Sequence, residues 1–149
     1  MSDETHILQR KCQKAALGVS TTIKHRCPVT LIAFYKKVMA TGWGFASALS
    51  ADDLIQTVEA TIARKCGAPL PPKDPEVWLP DTPQVKELAE QCRDALPFSC
   101  GFILIVGAGV DSTYASFEEA PRMLEFMSHL VLPQLRAQLT VSQPTAESP

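Results

Sequence analysis

A glycine-containing loop follows the most apolar segment of the chain, at a place where a loop can bind phosphate. The segment is residues 101–106, and the loop reads Gly107-Ala108-Gly109-Val110-Asp111. The loop lacks the third glycine of a dinucleotide-binding motif and the Gly-Lys-Ser/Thr of a nucleoside-triphosphate motif. A strand-like segment follows it, so no helix N-terminus would face a phosphate. We therefore interpret the glycines as the turn of a β-hairpin.

Metal or thiol chemistry would need cysteines and histidines at short, paired spacings. The five cysteines and three histidines are scattered, and only His25-x-Cys27 brings two together. Folding could still gather Cys27, Cys66 or Cys92, which keeps a thiol or zinc protein as an alternative. The default expectation is that the cysteines are small apolar residues of a reduced, cytoplasmic protein.

Catalysis has no convincing constellation of residues. The chain contains no Gly-x-Ser-x-Gly, and spacing gives no reason for Cys100 to meet His129. The carboxylate pairs 52–53 and 118–119 stand at predicted helix starts, where the helix dipole favours negative charge. We expect a protein that is not an enzyme and that needs no cofactor or metal.

The charge and hydropathy of the chain argue against nucleic acid and membrane partners. The formal net charge is −2, too small a field to hold nucleic acid unaided. The predicted sheet carries aromatic residues with almost no Lys or Arg beside them. The longest apolar stretches reach about half of a bilayer span, and the first residues lack the apolar core of a signal peptide. A cytoplasmic protein is expected.

Helices are predicted where apolar spacing agrees with capping residues. Gly18 would end the first, Ser50 would cap the third, and Thr82-Pro83 would start the fourth. The last helix would begin at the capping box Ser116-x-x-Glu119 or at Pro121, and Pro133 should kink it near His129. The five predicted helices cover residues 2–17, 29–40, 50–66, 82–96 and a final stretch that ends at 139.

Two stretches are ambiguous. Residues 19–28 fit neither helix nor strand cleanly. Residues 29–40 have helical spacing after Pro28, although 29–35 alone would suit a buried strand, and we favour the helix. Trp43 then lies between two glycines in a predicted loop, either plugging the core or facing a ligand or partner.

The remaining elements give the fold class. Residues 103–106 are apolar without alternation, which predicts a strand covered on both faces, and residues 112–117 would form a second strand nearer an edge. Residues 68–83 hold six prolines and predict an extended strap. We predict an α+β fold, mainly helical, with about five helices packed on a C-terminal antiparallel β-hairpin or small sheet. One domain would span 1–139 without internal repeats, and 140–149 would be a disordered tail.

The C-terminal third contains a series of short motifs, Leu96-Pro97, Gly101-Phe102, Gly107, Tyr114-Ala115-Ser116 and Met123. In these motifs it resembles small uncharacterised proteins encoded by phages and prophages. The family pattern continues with Asn and an Arg-Glu-Asp-like cluster, whereas this chain has Phe-Glu-Glu-Ala-Pro-Arg over 117–122. The resemblance implies a small accessory protein of unassigned role and phage origin.

The leading hypothesis is a non-enzymatic protein that binds another protein or itself as a homo-oligomer. Trp43 and Trp78 would be aromatic anchors of such an interface. The alternative is a small-ligand protein that binds or sequesters a nucleotide-like molecule, with a pocket lined by Asp111, Tyr114 and Ser116.

Overall fold

The computed structural model describes residues 3–23, 27–35, 43–96, 100–117 and 120–142. Within these ranges the chain is α+β, with four helices and one four-stranded antiparallel sheet. The elements are α1 (Asp3–Thr22), β1 (Val29–Tyr35), β2 (Trp43–Ser47), α2 (Ala51–Lys65), α3 (Thr82–Ala95), β3 (Cys100–Ala108), β4 (Asp111–Ser116) and α4, which joins Ala120–Phe126, a π turn Met127–Val131 and Leu132–Ser142. No helix of this set has the length and apolar character that a bilayer crossing requires.

The sheet draws strands from both halves of the chain, in the order β2-β1-β3-β4. The predicted α+β class is confirmed, but the predicted hairpin is only half of the sheet, and the described residues form four helices where five were predicted. β1 and β3 pair through the middle of the sheet from Val29–Val106 to Tyr35–Cys100. Because both are central strands with helices on each face, β3 is buried from Cys100 to Gly107, which explains its apolar run without alternation.

The prediction of a helix over 29–40 was wrong. Val29–Tyr35 forms β1, buried at every position but the last, and residues 36–40 lie outside the described ranges. A strand buried on both faces is apolar throughout, so a helical spacing is always contained within it. Trp43 was likewise expected in a loop, but it is the first residue of β2.

Helices cover both faces of the sheet. On one face α1 and α3 pack on residues such as Leu31, Phe102 and Leu104. On the other, α2 and α4 pack on Ile32 and Ile103 with their neighbours. Because each strand sends alternate side chains to opposite faces, the two cores are separated by one layer of backbone.

The ends of the helices differ in part from expectation. α1 continues through Gly18, where a Cβ would lie 3.2 Å from Nε2 of Gln91, so a residue expected to end the helix lies close to α3 instead. Ser50 caps α2 as predicted, accepting from the Asp53 N–H. Asp81, rather than Thr82, caps α3. The strap over 68–81 forms neither helix nor strand.

The last helix begins at Ala120, which places Pro121 in its first turn, and Glu119 lies outside the described residues. The expected kink near His129 is a π turn, in which the Leu132 N–H bonds to the Met127 carbonyl five residues earlier. Pro133 follows it, and a proline without an N–H is compatible with such a turn. The helix reaches Ser142, beyond the predicted end, and residues 143–149 lie outside the described ranges.

The chain repeats one structural unit, helix–strand–strand–helix, although no repeat was predicted from its sequence. The last three residues of each outer strand are an aromatic residue followed by Ala and Ser. A helix starts four residues after that Ser, at Ala51 and at Ala120. The fourth residue of each of these helices, Leu54 or Met123, is buried. β1 of one unit and β3 of the other are the strands that join them.

Candidate functional site

Side chains of α2 hold the turn between β3 and β4. The guanidinium of Arg64 donates to the carbonyls of Val110 and Ser112, each at 3.0 Å. The hydroxyl of Thr57 accepts the N–H of Gly109 at 2.7 Å. A phosphate-binding loop presents such an N–H to its ligand, but here the protein already uses it. The interpretation of the glycines as a hairpin turn is confirmed by the β3–β4 pairing.

The strap reaches the same turn from the other side and is latched to it. Oδ1 of Asp111 accepts the backbone N–H of Asp74 at 2.8 Å. Between strap and hairpin lies an open cleft of about 490 Å³. Its lining consists of Cys27, Pro28, Glu76, Val77, Trp78, Gly107, Ala108 and Asp111.

The lining of the strap cleft has one aromatic residue, two carboxylates and no Lys or Arg. Lys73 lies outside the lining but close enough to interact with Asp111. Burial and the nearby Arg64 lower the pKa of Lys73, and Asp111 opposes the shift. Among the described residues, no cationic side chain forms an ion pair with Asp111. The cleft itself is therefore an acidic and partly apolar surface.

Cys12, Cys27 and Cys92 have the character of inert thiols. Burial raises the pKa of Cys27, which lines the cleft, and raises the pKa of Cys12 and of Cys92 to about 12. A protonated thiol is a poor nucleophile and a poor metal ligand at neutral pH. None of the five cysteines forms a disulfide. The described residues contain no group of three or more His, Cys, Asp and Glu side chains placed to hold a metal ion.

β4 is an edge strand, and no described residue pairs with the outward backbone groups of Tyr114. Gly107 donates its N–H to Pro28, on the β1 side of the sheet, and its partner Ser112 accepts from Arg64. Backbone groups alternate in direction along an antiparallel strand. Tyr114, two residues on from Ser112, therefore points its N–H and C=O away from β3. No described residue bonds to them.

Cations flank this edge on both faces of the sheet. The ammonium of Lys65 lies 4.7 Å from the ring centre of Tyr114. The guanidinium of Arg93 lies 4.5 Å from the ring centre of Phe117, which is 45% exposed. Arg64 adds a third positive charge near the turn. Glu118 and Glu119, next along the chain, lie outside the described residues.

The opposite edge of the sheet is covered. The amide of Gln9 in α1 donates to the carbonyl of Phe45 and accepts the Phe45 N–H at 3.0 Å, as a neighbouring strand would. Gly44 allows this approach, because a Cβ there would lie 2.8 Å from the Gln9 Oε1. The described residues supply no such amide on β4. The two edges are therefore unequal.

The structure brings together only two of the predicted site residues, Trp78 and Asp111, in the strap cleft. Trp43 is 9% exposed and packs edge-on against Phe126 at 5.9 Å between ring centres, as a core residue does. Tyr114 and Ser116 lie on β4 and do not line the cleft. The Ser116 hydroxyl donates to the Phe102 carbonyl at 2.7 Å.

Sequence reasoning missed Lys65, Arg93 and Glu76. The first two occupy the last turns of helices, where cations are explained by the helix dipole. Their contacts with the rings of Tyr114 and Phe117 join residues that are far apart in the chain, so these contacts become visible only in the folded structure.

Searches of family models, of curated proteins and of solved structures found no match to this chain.

Proposed function

We propose that this chain is a non-catalytic accessory protein that binds an extended, acidic segment of a partner protein along the outer edge of β4. The observation that carries the proposal is the outward N–H and C=O of Tyr114, which no described residue uses. An added strand would pair with these groups and extend the sheet. Native sheets usually cover or twist away such edges, and this protein covers the other one with Gln9.

The charges beside the edge select the partner. A peptide strand beside β4 would send alternate side chains to the two faces, toward Lys65 on one and Arg93 on the other. Carboxylates at those positions would form ion pairs with them. A second copy pairing through its own β4 would instead bring like charges together, so a different chain is the better partner.

Exposed Phe117 supplies the apolar part of the contact. It lies just beyond β4, with the Arg93 guanidinium over its ring and the Phe102 ring in an edge-to-face contact at 5.9 Å between ring centres. An aromatic ring with a cation on it is typical of the residues that dominate binding energy at interfaces. The reduced state of the five cysteines, none of which forms a disulfide, supports a reducing compartment such as the cytoplasm.

Selection from a library of random linear peptides tests the proposal without a known partner. The expected result is enrichment of segments with two acidic residues an odd number of positions apart, so that one carboxylate points to each face of the sheet. Affinity for a selected peptide should fall as salt rises, because added ions screen the attraction between solvent-exposed charges, over a length of about 10 Å at 0.1 M. The double variant Lys65→Glu with Arg93→Glu should reverse the preference and select basic segments.

Two substitutions at Tyr114 separate strand pairing from ring contacts. Tyr114→Ala removes the ring and keeps the outward N–H, whereas Tyr114→Pro also removes that N–H without breaking a bond to β3. Pairing predicts that the proline variant loses the selected peptide while the alanine variant retains most of its affinity, with both folded by circular dichroism. Equal binding by the two variants, or no enrichment of acidic segments, would refute the proposal. So would a homodimer, detected by light scattering, that only the proline variant dissociates.

A further inference from the structure

The strap cleft has the composition of a site for an organic cation. Its volume, about 490 Å³, lies within the range of small-ligand pockets. Its side chains offer the carboxylates of Glu76 and Asp111, the indole of Trp78 and the apolar surface of Pro28 and Val77. Aromatic rings together with carboxylates bind alkylammonium and guanidinium groups, the ring through its quadrupole and the carboxylate through charge.

The polar groups of the cleft are arranged so that one carboxylate serves two purposes. Oδ1 of Asp111 accepts the Asp74 N–H and fixes the strap. No other described residue bonds to this carboxylate, so its negative charge faces the cleft uncompensated by an ion pair. Glu76 is placed by its own N–H, which donates to the Asp74 carboxylate at 2.9 Å. The strap latch thus holds both acids on the cleft wall.

The same charges argue against a nucleotide-like ligand in this cleft. A phosphate in the cleft would meet two carboxylates, and the Gly109 N–H that could have bound it is occupied by Thr57. The nearby cations Arg64 and Lys73 are outside the lining, and the guanidinium of Arg64 already donates hydrogen bonds to backbone carbonyls. The cleft therefore favours positive charge.

We propose that the cleft between the strap and the β3–β4 turn binds an organic ammonium or guanidinium group, either a free small amine or the end of a Lys or Arg side chain of a peptide. Trp78 supplies the aromatic contact, and Glu76 and Asp111 supply the charge. This inference is independent of strand pairing at Tyr114. Asp111 is the first residue of β4, but by the same alternation it points its N–H and C=O toward β3, and Glu76 and Trp78 lie in the strap.

Isothermal titration of the full chain with three probes tests the proposal. The probes are butylguanidinium, a blocked Gly-Arg-Gly peptide and, as an anionic control, ADP. Binding of either cation and no binding of ADP is expected. The tighter of the two cations identifies the source, a free molecule or a peptide side chain. Binding of ADP alone, or of no probe, would overturn the proposal.

Charge-neutral variants locate the site. Asp111→Asn keeps the oxygen that accepts the Asp74 N–H and removes only the charge, so the strap stays latched. Asp111→Asn and Glu76→Gln should each weaken binding of the cation about tenfold, the loss expected for a hydrogen bond to a charged group. Glu87→Gln, on the exposed face of α3, makes the same charge change elsewhere and should leave affinity unchanged. Equal affinities in all three variants would place the cation outside the cleft and refute the assignment.

Discussion

Replacing Gly107 by Ala should destabilise the protein much more than replacing Gly109, although both glycines belong to one β-hairpin. Gly107 has φ of +110°, and a Cβ there would lie 2.2 Å from the Asp111 carbonyl oxygen and 2.8 Å from the Ser112 Cα. Gly109 has φ of +58°, and a Cβ there meets nothing within 4 Å. Both substitutions introduce backbone strain, but only the first also drives β4 away from β3.

The magnitudes follow from these distances. Ala in the left-handed conformation of Gly109 should lower the free energy of unfolding by about 1–2 kcal/mol. At Gly107 the strained backbone contributes about 1–3 kcal/mol. The collision is with main-chain atoms that cannot rotate away, so we expect a total loss of at least about 3 kcal/mol, a large share of the 5–15 kcal/mol of a typical domain. The melting temperature should fall by about 2–4 °C for each kcal/mol in a chain of this size.

Urea denaturation of the two variants, followed by tryptophan fluorescence, measures the difference. The midpoint should fall in both, and further in Gly107→Ala, with the slope m unchanged if the unfolded states are alike. Gly67→Ala, at φ of +76° with nothing within 4 Å of its Cβ, is a second control and should resemble Gly109→Ala. Equal losses at Gly107 and Gly109 would show that the turn relaxes freely around the new methyl group and would refute the reasoning.

Two further predictions concern the cores. Phe126→Ala should lower the free energy of unfolding by about 3–5 kcal/mol, because the ring is fully buried and its centre lies 4.3 Å from that of Phe34; Phe117→Ala, at a 45% exposed ring, is the control, and a loss of the same size there would contradict the burial argument. The free energy of unfolding should not depend on the two buried thiols below pH 9 and should fall between pH 9 and pH 12. The reason is that the unfolded chain releases protons from Cys12 and Cys92 near pH 9.0, while burial raises their native pKa values to about 12. The slope should be about 1.4 kcal/mol per pH unit for each thiol, measured by urea denaturation across pH, and a double variant with Ala at both positions that kept the same slope would argue against this origin.

The sequence was informative where local chemistry decides the structure. The cap at Ser50, the proline strap and the β3–β4 turn were predictable because each depends on residues close together in the chain. β1 was not, since its apolar residues satisfy a helical spacing and a buried strand equally well. The neighbour that decides between them, β3, follows it far along the sequence.

The candidate sites show the same division. Trp78 and Asp111 could be singled out as residue types, and the structure places both in the strap cleft. Trp43 attracts the same attention in the sequence, yet it is a core residue because β2 turns its side chain toward α4. The unpaired outer edge of β4 at Tyr114 has no signal in the sequence, because it depends on the packing of the helices. Gln9 of α1 bonds to the outer backbone groups of β2, whereas no described residue of α3 bonds to those of Tyr114.

The repeated helix–hairpin–helix unit bears on how the chain could be divided. A cut within the strap, between α2 and α3, would separate β1 from β3 and leave each fragment with one strongly apolar strand that has lost its neighbour on one side. Neither fragment could bury or pair the exposed edge of that strand alone, so each would need the other. Co-expressed halves should therefore reassemble into the whole, and the protein would lend itself to use as a split reporter whose signal depends on reunion of the two fragments.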